Sequence, residues 1–182
     1  MPDLFNGKLV RLAAPQPDDY DSFARWSHNS EYLRLMDADP AKPHSAKSFE
    51  EWEKDITGPN TYLFRIRLQH DDSLIGFVAL DVNWANQNAF LAIGIGEPTT
   101  WGKGYGSEAM ALILNYAFNE LSLHRVGLNV ISTNRRAIAL YEKLGFVYEG
   151  AQREWGMRDE LHFDLVYYGI LRREWQNKSH NS

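Results

Sequence analysis

The sequence contains no cysteine. Disulfides, thiolate metal sites and a cysteine nucleophile are therefore excluded, and no metal is expected. Long apolar runs are missing too. The longest nearly apolar stretch, Ala109 to Phe118, contains Asn115 and is too short to cross a bilayer. The start, MPDLFNGKLVRL, has no apolar signal-peptide core. These absences predict a soluble cytoplasmic protein with no membrane partner. There is no excess of basic residues either: the net charge of -5 argues against a nucleic-acid partner, which usually needs a basic face. Internal repeats and low-complexity linkers are also absent. What is present is ordinary globular composition, 44% hydrophobic and 24% charged over 182 residues, enough for one domain with a substantial core.

Along the chain, Lys8 to Ala13 reads as a short first strand. Tyr20, Phe23 and Ala24 follow at helical spacing, and a second short helix includes Tyr32, Leu33 and Leu35. Asp37 to Lys47 holds two prolines and reads as loop. Ser48 with Glu51 three residues on suggests a capping box for a helix through Trp52, ending before Gly58-Pro59. In Leu63 to Leu68, Phe64, Ile66 and Leu68 alternate with Arg65 and Arg67, predicting one buried face. Leu74 to Val82, apolar on both parities, reads as a central strand. Phe90 to Ile95 and His124 to Ile131 read as strands, with a helix from about Ser107 to Leu121 between them. Arg135 to Leu144 reads as a helix, and Phe146 to Gln152 and Phe163 to Leu171 as late strands. Strands alternate with helices only in the middle, which predicts a mixed sheet.

The stretch TTWGKGYGSEAM, residues 99 to 110, places three glycines where a helix begins. The first amides of a helix have no internal acceptor, and its dipole adds positive charge there. Gly102, Gly104 and Gly106 would present successive N–H groups to an anion, with Lys103 at the rim. A P-loop needs Ser or Thr after Gly-Lys, and a dinucleotide fingerprint needs G-x-G-x-x-G; neither spacing is present. A second stretch, NRRAIALYEKLGF from 134 to 146, has Asn134 as N-cap and Gly145 as left-handed C-cap. Ala137, Leu140, Tyr141 and Leu144 share one helix face, so Tyr141 carries a hydroxyl on an apolar face. Taken alone, Tyr141 reads as a core tyrosine bonded to a backbone carbonyl.

Together the two stretches resemble the GCN5-related N-acetyltransferases. Trp101-Gly-Lys-Gly104-Tyr-Gly106 matches that family's phosphate motif, Q/R-x-x-G-x-G/A, except at Trp101. KLVRL near the start and GFVYEGAQREW with FDLVYYGILRREW near the end resemble the branch of ribosomal-protein N-terminal and spermidine acetyltransferases. The resemblance implies an α/β (α+β) fold in a single domain over residues 1–182, with its body at about 8–175 and a flexible tail at 176–182. The sheet would be mixed, mostly antiparallel and flanked by helices, splayed between its fourth and fifth strands. Acetyl-coenzyme A (acetyl-CoA) would lie in the gap as co-substrate. Ile93 and Ile95 would pair with its pantetheine through backbone groups, and Gly94 and Gly96 would leave room. Amides from Gly102 through Lys103, Gly104, Tyr105 and Gly106 to Ser107 would hold the diphosphate. Asn134 would touch the cofactor arm and Tyr141 would be the general acid.

The implied reaction is direct acetyl transfer to an amine acceptor, either a protein N-terminal α-amine or a small molecule. A polyamine or antibiotic acceptor is the alternative enzyme reading, and a CoA-binding sensor without turnover is the non-enzyme one. Asp81, Glu97, Glu154, His162 and Asp164 are candidate bases, while position 90, acidic in many relatives, is Phe here. Trp26, Tyr32, Trp84 and Trp155 are candidates for an acceptor pocket, with Asp37 and Asp39 as loop acids able to draw a cation. Partly exposed helices would be compatible with a homodimer.

Overall fold

The computed structural model describes residues 3–179, with side chains through residue 177. Among the described residues, seven strands form one sheet in the order β1-β2-β3-β4-β5-β7-β6. They are β1 (Val10–Ala13), β2 (Thr61–Leu68), β3 (Leu74–Asn83), β4 (Asn88–Ile95), β5 (Arg125–Ile131), β6 (Val147–Arg158) and β7 (Leu161–Leu171). Between β1 and β2 run α1 (Asp19–Ser27), α2 (Ser30–Met36) and α3 (Ala46–Ile56). α4 (Tyr105–Asn115) leads from β4 toward β5, α5 (Arg135–Leu144) joins β5 to β6, and α6 (Arg172–Ser179) follows β7. Residues 176–179 of the expected tail stand in α6. Residues 180–182 lie outside the described residues.

All neighbouring strands are antiparallel except β4 and β5. That parallel pair has only three rungs, Asn88–Phe90 against Arg125–Gly127. Beyond them β4 stays on β3 as far as Ile95, and β5 stays on β7 as far as Ile131. The sheet therefore opens like a V where the splay was expected.

Local chemistry sets the element ends. α5 has the expected bounds: Asn134 Oδ1 accepts the Ala137 N–H at 3.1 Å, and Gly145 ends the helix at φ 96°. The Phe146 N–H then returns to the Tyr141 carbonyl at 3.0 Å. α3 differs from expectation. Its cap is Ser45, whose Oγ accepts the Ser48 N–H at 3.1 Å, so Ser48 is the third residue of the helix. α4 begins at Tyr105, two residues early, and gives way at Tyr116 to a π-turn through Glu120.

The largest departure lies in β2. Arg65 and Arg67 alternate with apolar residues, yet Arg65 is 0% exposed and Arg67 is buried too. Their face of the sheet is covered by α1 and α3. Arg65 Nε donates to Asp19 at 3.1 Å, and its Nη2 donates to both oxygens of Glu53, at 2.7 and 2.9 Å. Arg67 pairs with the other Asp19 oxygen, while its Nε has no partner. The Arg65 guanidinium also lies 4.7 Å from the Phe23 ring centroid. One cation thus fastens the start of α1 and the last turn of α3 to the sheet. Removing it leaves the largely buried Glu53 without its cation and Asp19 with Arg67 alone, and breaking a buried pair from one side typically costs about 3–5 kcal/mol. Arg65→Met is expected to lose stability of that order in denaturant unfolding at pH 7; a loss below about 1 kcal/mol, the range of surface pairs, would show that the network is not structural.

Candidate active site

The V between β4 and β5 holds a cleft of about 340 Å³, in the range of small-molecule sites. Its walls bring together Ile93, Gly94 and Ile95 from β4, Gly102, Gly104, Tyr105, Gly106 and Ser107 from the glycine loop, and Asn134 and Tyr141 from α5. Of the residues expected to meet the cofactor, Lys103 stands off the lining, exposed at the loop tip, and so does Gly96, which is buried.

The backbone of β4 presents an open edge here. The Gly96 N–H goes to the Ile75 carbonyl at 2.9 Å, so even-numbered residues turn their polar edge to β3. The Gln87 carbonyl receives the His124 N–H at 2.7 Å, so odd-numbered residues turn toward β5. Past the last rung, Ile93 and Ile95 therefore face the cleft with peptide groups that no β5 residue pairs. A buried peptide edge needs partners, and an amide-bearing chain laid in the gap would supply them. One partner is already in place: Trp101 Nε1 donates to the Ile95 carbonyl at 2.7 Å. Gly94 of β4 and Gly96 just after it also make room for neighbouring side chains. A Cβ at Gly94 would fall 2.6 Å from Met36 Sδ, and one at Gly96 would fall 2.1 Å from the Trp26 ring. Both positions admit protein side chains from α1 and α2.

Gly102 and Gly104 take φ of 76° and 87°. These values suit glycine and aim the loop into the first turn of α4. The amides of Tyr105, Gly106 and Ser107 have no acceptor within that helix. Glu108, in the same turn, steadies the loop from behind: its carboxylate accepts N–H groups of Lys8, Leu9 and Val10 at 2.7 to 2.9 Å. Nothing in the sequence signalled that tie, because its partners are about a hundred residues apart. Across the loop, the Arg136 guanidinium lies 4.2 Å from the Trp101 ring centroid, and both residues line the cleft.

Tyr141 is buried on α5, and burial pushes its pKa up to about 12. Its hydroxyl makes no hydrogen bond to any described residue, unlike Tyr20 and Tyr168, which donate to Glu53 and Glu142. Tyr32 enters the same cleft from α2, also buried and with its pKa raised by burial. None of the five candidate bases lines the cleft. Glu97 is taken up by Trp26 Nε1 and Arg25, and Asp164 by the Glu154 N–H. The one carboxylate on the lining is Asp37, after α2. Of the four aromatic residues considered for the acceptor, Tyr32 alone lines the cleft. Trp26 is core, and Trp84 and Trp155 are exposed elsewhere.

The family model described as "Acetyltransferase (GNAT) domain" matches residues 10–147. The chain is 32% identical over 142 residues to a putative ribosomal N-acetyltransferase of Bacillus subtilis, covering 75% of this chain and 76% of that one. It is 36% identical over 142 residues to a spermidine N(1)-acetyltransferase of Escherichia coli, covering 78% and 74%. A solved spermidine N-acetyltransferase from Vibrio cholerae, in complex with CoA and spermine, superposes with a TM-score of 0.82. It shares 26% identity, over 94% of this chain and all of that one. The chain belongs to the GNAT family of N-acetyltransferases, and it is an acetyl-CoA-dependent acyltransferase.

Two variants test the cleft as the CoA site. Gly104→Val places a β-branched residue at φ 87° and should distort the loop without touching the core, since only Leu9 lies near, at 3.8 Å. CoA affinity by calorimetry is expected to fall while the melting curve holds; unchanged affinity would remove the loop from the site. Lys103→Ala is expected to weaken CoA by about 1 kcal/mol or less, as for a solvent-exposed charge contact.

Proposed function

We propose that the cleft transfers acetyl from acetyl-CoA directly to a primary amine, with Tyr141 as proton donor to the departing sulfur. The observation that carries this is the Tyr141 hydroxyl. It is buried at the cleft wall and bonded to no described residue, whereas a packing tyrosine would spend it on a carbonyl. Acetyl-CoA supplies an activated acyl carbon. The chain binds the carrier on the β4 edge and the α4 amides, and presents the acceptor from the α2 side. The amine nitrogen bonds to the acetyl carbonyl carbon, the carbon–sulfur bond breaks, and the amine proton passes to solvent. Complete proton transfer from a phenol of about 12 to a thiolate of about 8.5 is uphill by roughly 5 kcal/mol. Tyr141 therefore acts chiefly by donating a hydrogen bond as charge builds on sulfur. Its high pKa keeps the proton in place throughout the working range.

The proposed acceptor is an α-amine of a peptide N-terminus or a small-molecule amine. A single carboxylate on the lining, Asp37, suits one ammonium or amine group better than a polycation. An α-amine of pKa ~7.7–8.0 is neutral to about a tenth at pH 7, so it needs little help from a base, and none of the expected bases lines the cleft. Polyamine acetylation is the second reading, favoured by the spermine-bound neighbour. An acceptor panel of short peptides, single amines and polyamines, followed by thiol release, separates the two.

Tyr141→Phe is expected to keep the melting curve and CoA affinity and to lower turnover by about 10²-fold, the lower end of general-acid effects. Tyr32→Phe is the comparison: it should alter acceptor KM more than turnover. Parental turnover in Tyr141→Phe would return that residue to packing. With an α-amine acceptor, kcat/KM should rise with pH, as the neutral amine accumulates, and level off near pH ~8. No falling limb from Tyr141 is expected up to about pH 10, two units below its pKa. A fall between 8 and 10 in the parent, absent from Tyr141→Phe, would contradict the raised pKa.

A further inference from the structure

An arginine in the first turn of a helix sits at the positive end of the dipole, where cations are disfavoured. α5 carries two, Arg135 and Arg136, with no acidic residue in that turn. Arg136 is nonetheless held in place. Its guanidinium carbon lies over the Trp101 ring, 4.2 Å from the centroid, and no described residue takes its N–H groups in a hydrogen bond or ion pair. Trp101 is fixed in turn by its 2.7 Å bond to the Ile95 carbonyl. Both line the cleft beside Gly102 and Gly104, next to the free amides of α4. Stacking fixes the plane of a guanidinium while leaving its in-plane donors open, the geometry that suits phosphate oxygens. Lys103, a second nearby cation, is exposed like Arg136 but stands off the lining.

We propose that Arg136, held on the Trp101 ring, is the principal side-chain contact to a phosphate of bound acetyl-CoA. It supplies from α5 the polar contact that the motif lost when Trp replaced Gln or Arg at position 101. Trp101 is a positioning residue that acts through Arg136. The proposal rests on the cleft being the CoA site. Its chemistry suits either the diphosphate or the ribose 3′-phosphate.

The test is calorimetry with CoA and with 3′-dephospho-CoA, beside melting curves. Arg136→Ala is expected to weaken CoA about 10- to 100-fold, the range of hydrogen bonds to charged groups. Its melting temperature should hold or rise, because a misplaced cation is removed. Arg136→Lys should recover only part of the affinity, since an ammonium neither stacks nor forks in the same way. Trp101→Leu should also weaken CoA, and the double variant with Arg136→Ala should bind no worse than Arg136→Ala alone. Trp101→Phe, which keeps a ring but loses the bond to Ile95, serves if the leucine variant does not fold. A loss equal for both ligands assigns the contact to the diphosphate, and a loss confined to CoA assigns it to the 3′-phosphate. CoA affinity within about twofold of the parent in Arg136→Ala overturns the proposal, as does strict additivity with Trp101→Leu for the platform. Gly104→Val run in parallel keeps the two readings apart. If it weakens CoA while Arg136→Ala does not, the arginine assignment alone fails. If neither weakens CoA, the cleft itself is not the site.

Discussion

The parting of β4 from β5 after three rungs is the constraint on which the rest depends. A sheet normally satisfies its own peptide groups, and a break in the middle exposes two edges that no loop covers. Here both strands are secured on their outer sides, β4 by β3 and β5 by β7, so the gap neither closes nor frays. α5 follows directly from β5 and sets Asn134 and Tyr141 along one wall, while the turn after β4 delivers the glycine loop to the other end. The cleft is thus a by-product of strand pairing. Its chemistry is largely backbone chemistry: odd-numbered peptide edges on β4 and orphan amides on α4.

A site built on backbone tolerates side-chain exchange unusually well, and Trp101 illustrates this. At that position the motif ordinarily carries a polar side chain. The indole gives up that contact but gains two others: a hydrogen bond to the last carbonyl of β4 and a flat face for Arg136. The amides of Tyr105 to Ser107 depend on neither. The side chain at position 101 can therefore change without moving the loop itself, provided that Gly102 and Gly104 keep their left-handed backbone.

Much of the fold was legible in the sequence wherever the cause was local. α5 shows this best, since cap, apolar face and terminal glycine lie within thirteen residues and each has one physical reading. The splay and the cofactor cleft were legible through the resemblance, because WGKGYG and NRRAIALYEKLGF sit at fixed places relative to it. Features set by remote contacts were not legible. Arg65 alternates with apolar residues as a solvent-facing residue would, yet its partners Asp19 and Glu53 arrive on helices 46 and 12 residues away. Gly94 and Gly96 read equally as room for a ligand or as relief of crowding in a twisted strand, and the close approach of Met36 and Trp26 could not be read from the sequence. Ser45 and Ser48 both precede a plausible helix, and one hydrogen bond separates them.

The side of the cleft formed by α2 was the least legible for the same reason. α2, the residues after it and the β6–β7 hairpin come together there, and none of them carries a motif. What joins them is a clasp. Arg158, stacked 5.1 Å over Phe163, donates to the carbonyls of Arg34, Asp37 and Asp39, while Arg34 forms a two-pronged pair with Asp159 at 2.7 and 3.0 Å. Burial and the neighbouring Arg34 hold the Arg158 pKa below its usual value. The Arg158 bonds end on main-chain oxygens, so they fix the path of the segment that carries Asp37 whatever its side chains are. Arg65 clamps α1 and α3 behind the same region through Asp19 and Glu53. A frame held by backbone contacts and a buried cation leaves the exposed side chains of residues 37–45 free to vary. Those side chains can then change while the cleft, set by the splayed strands, stays as it is.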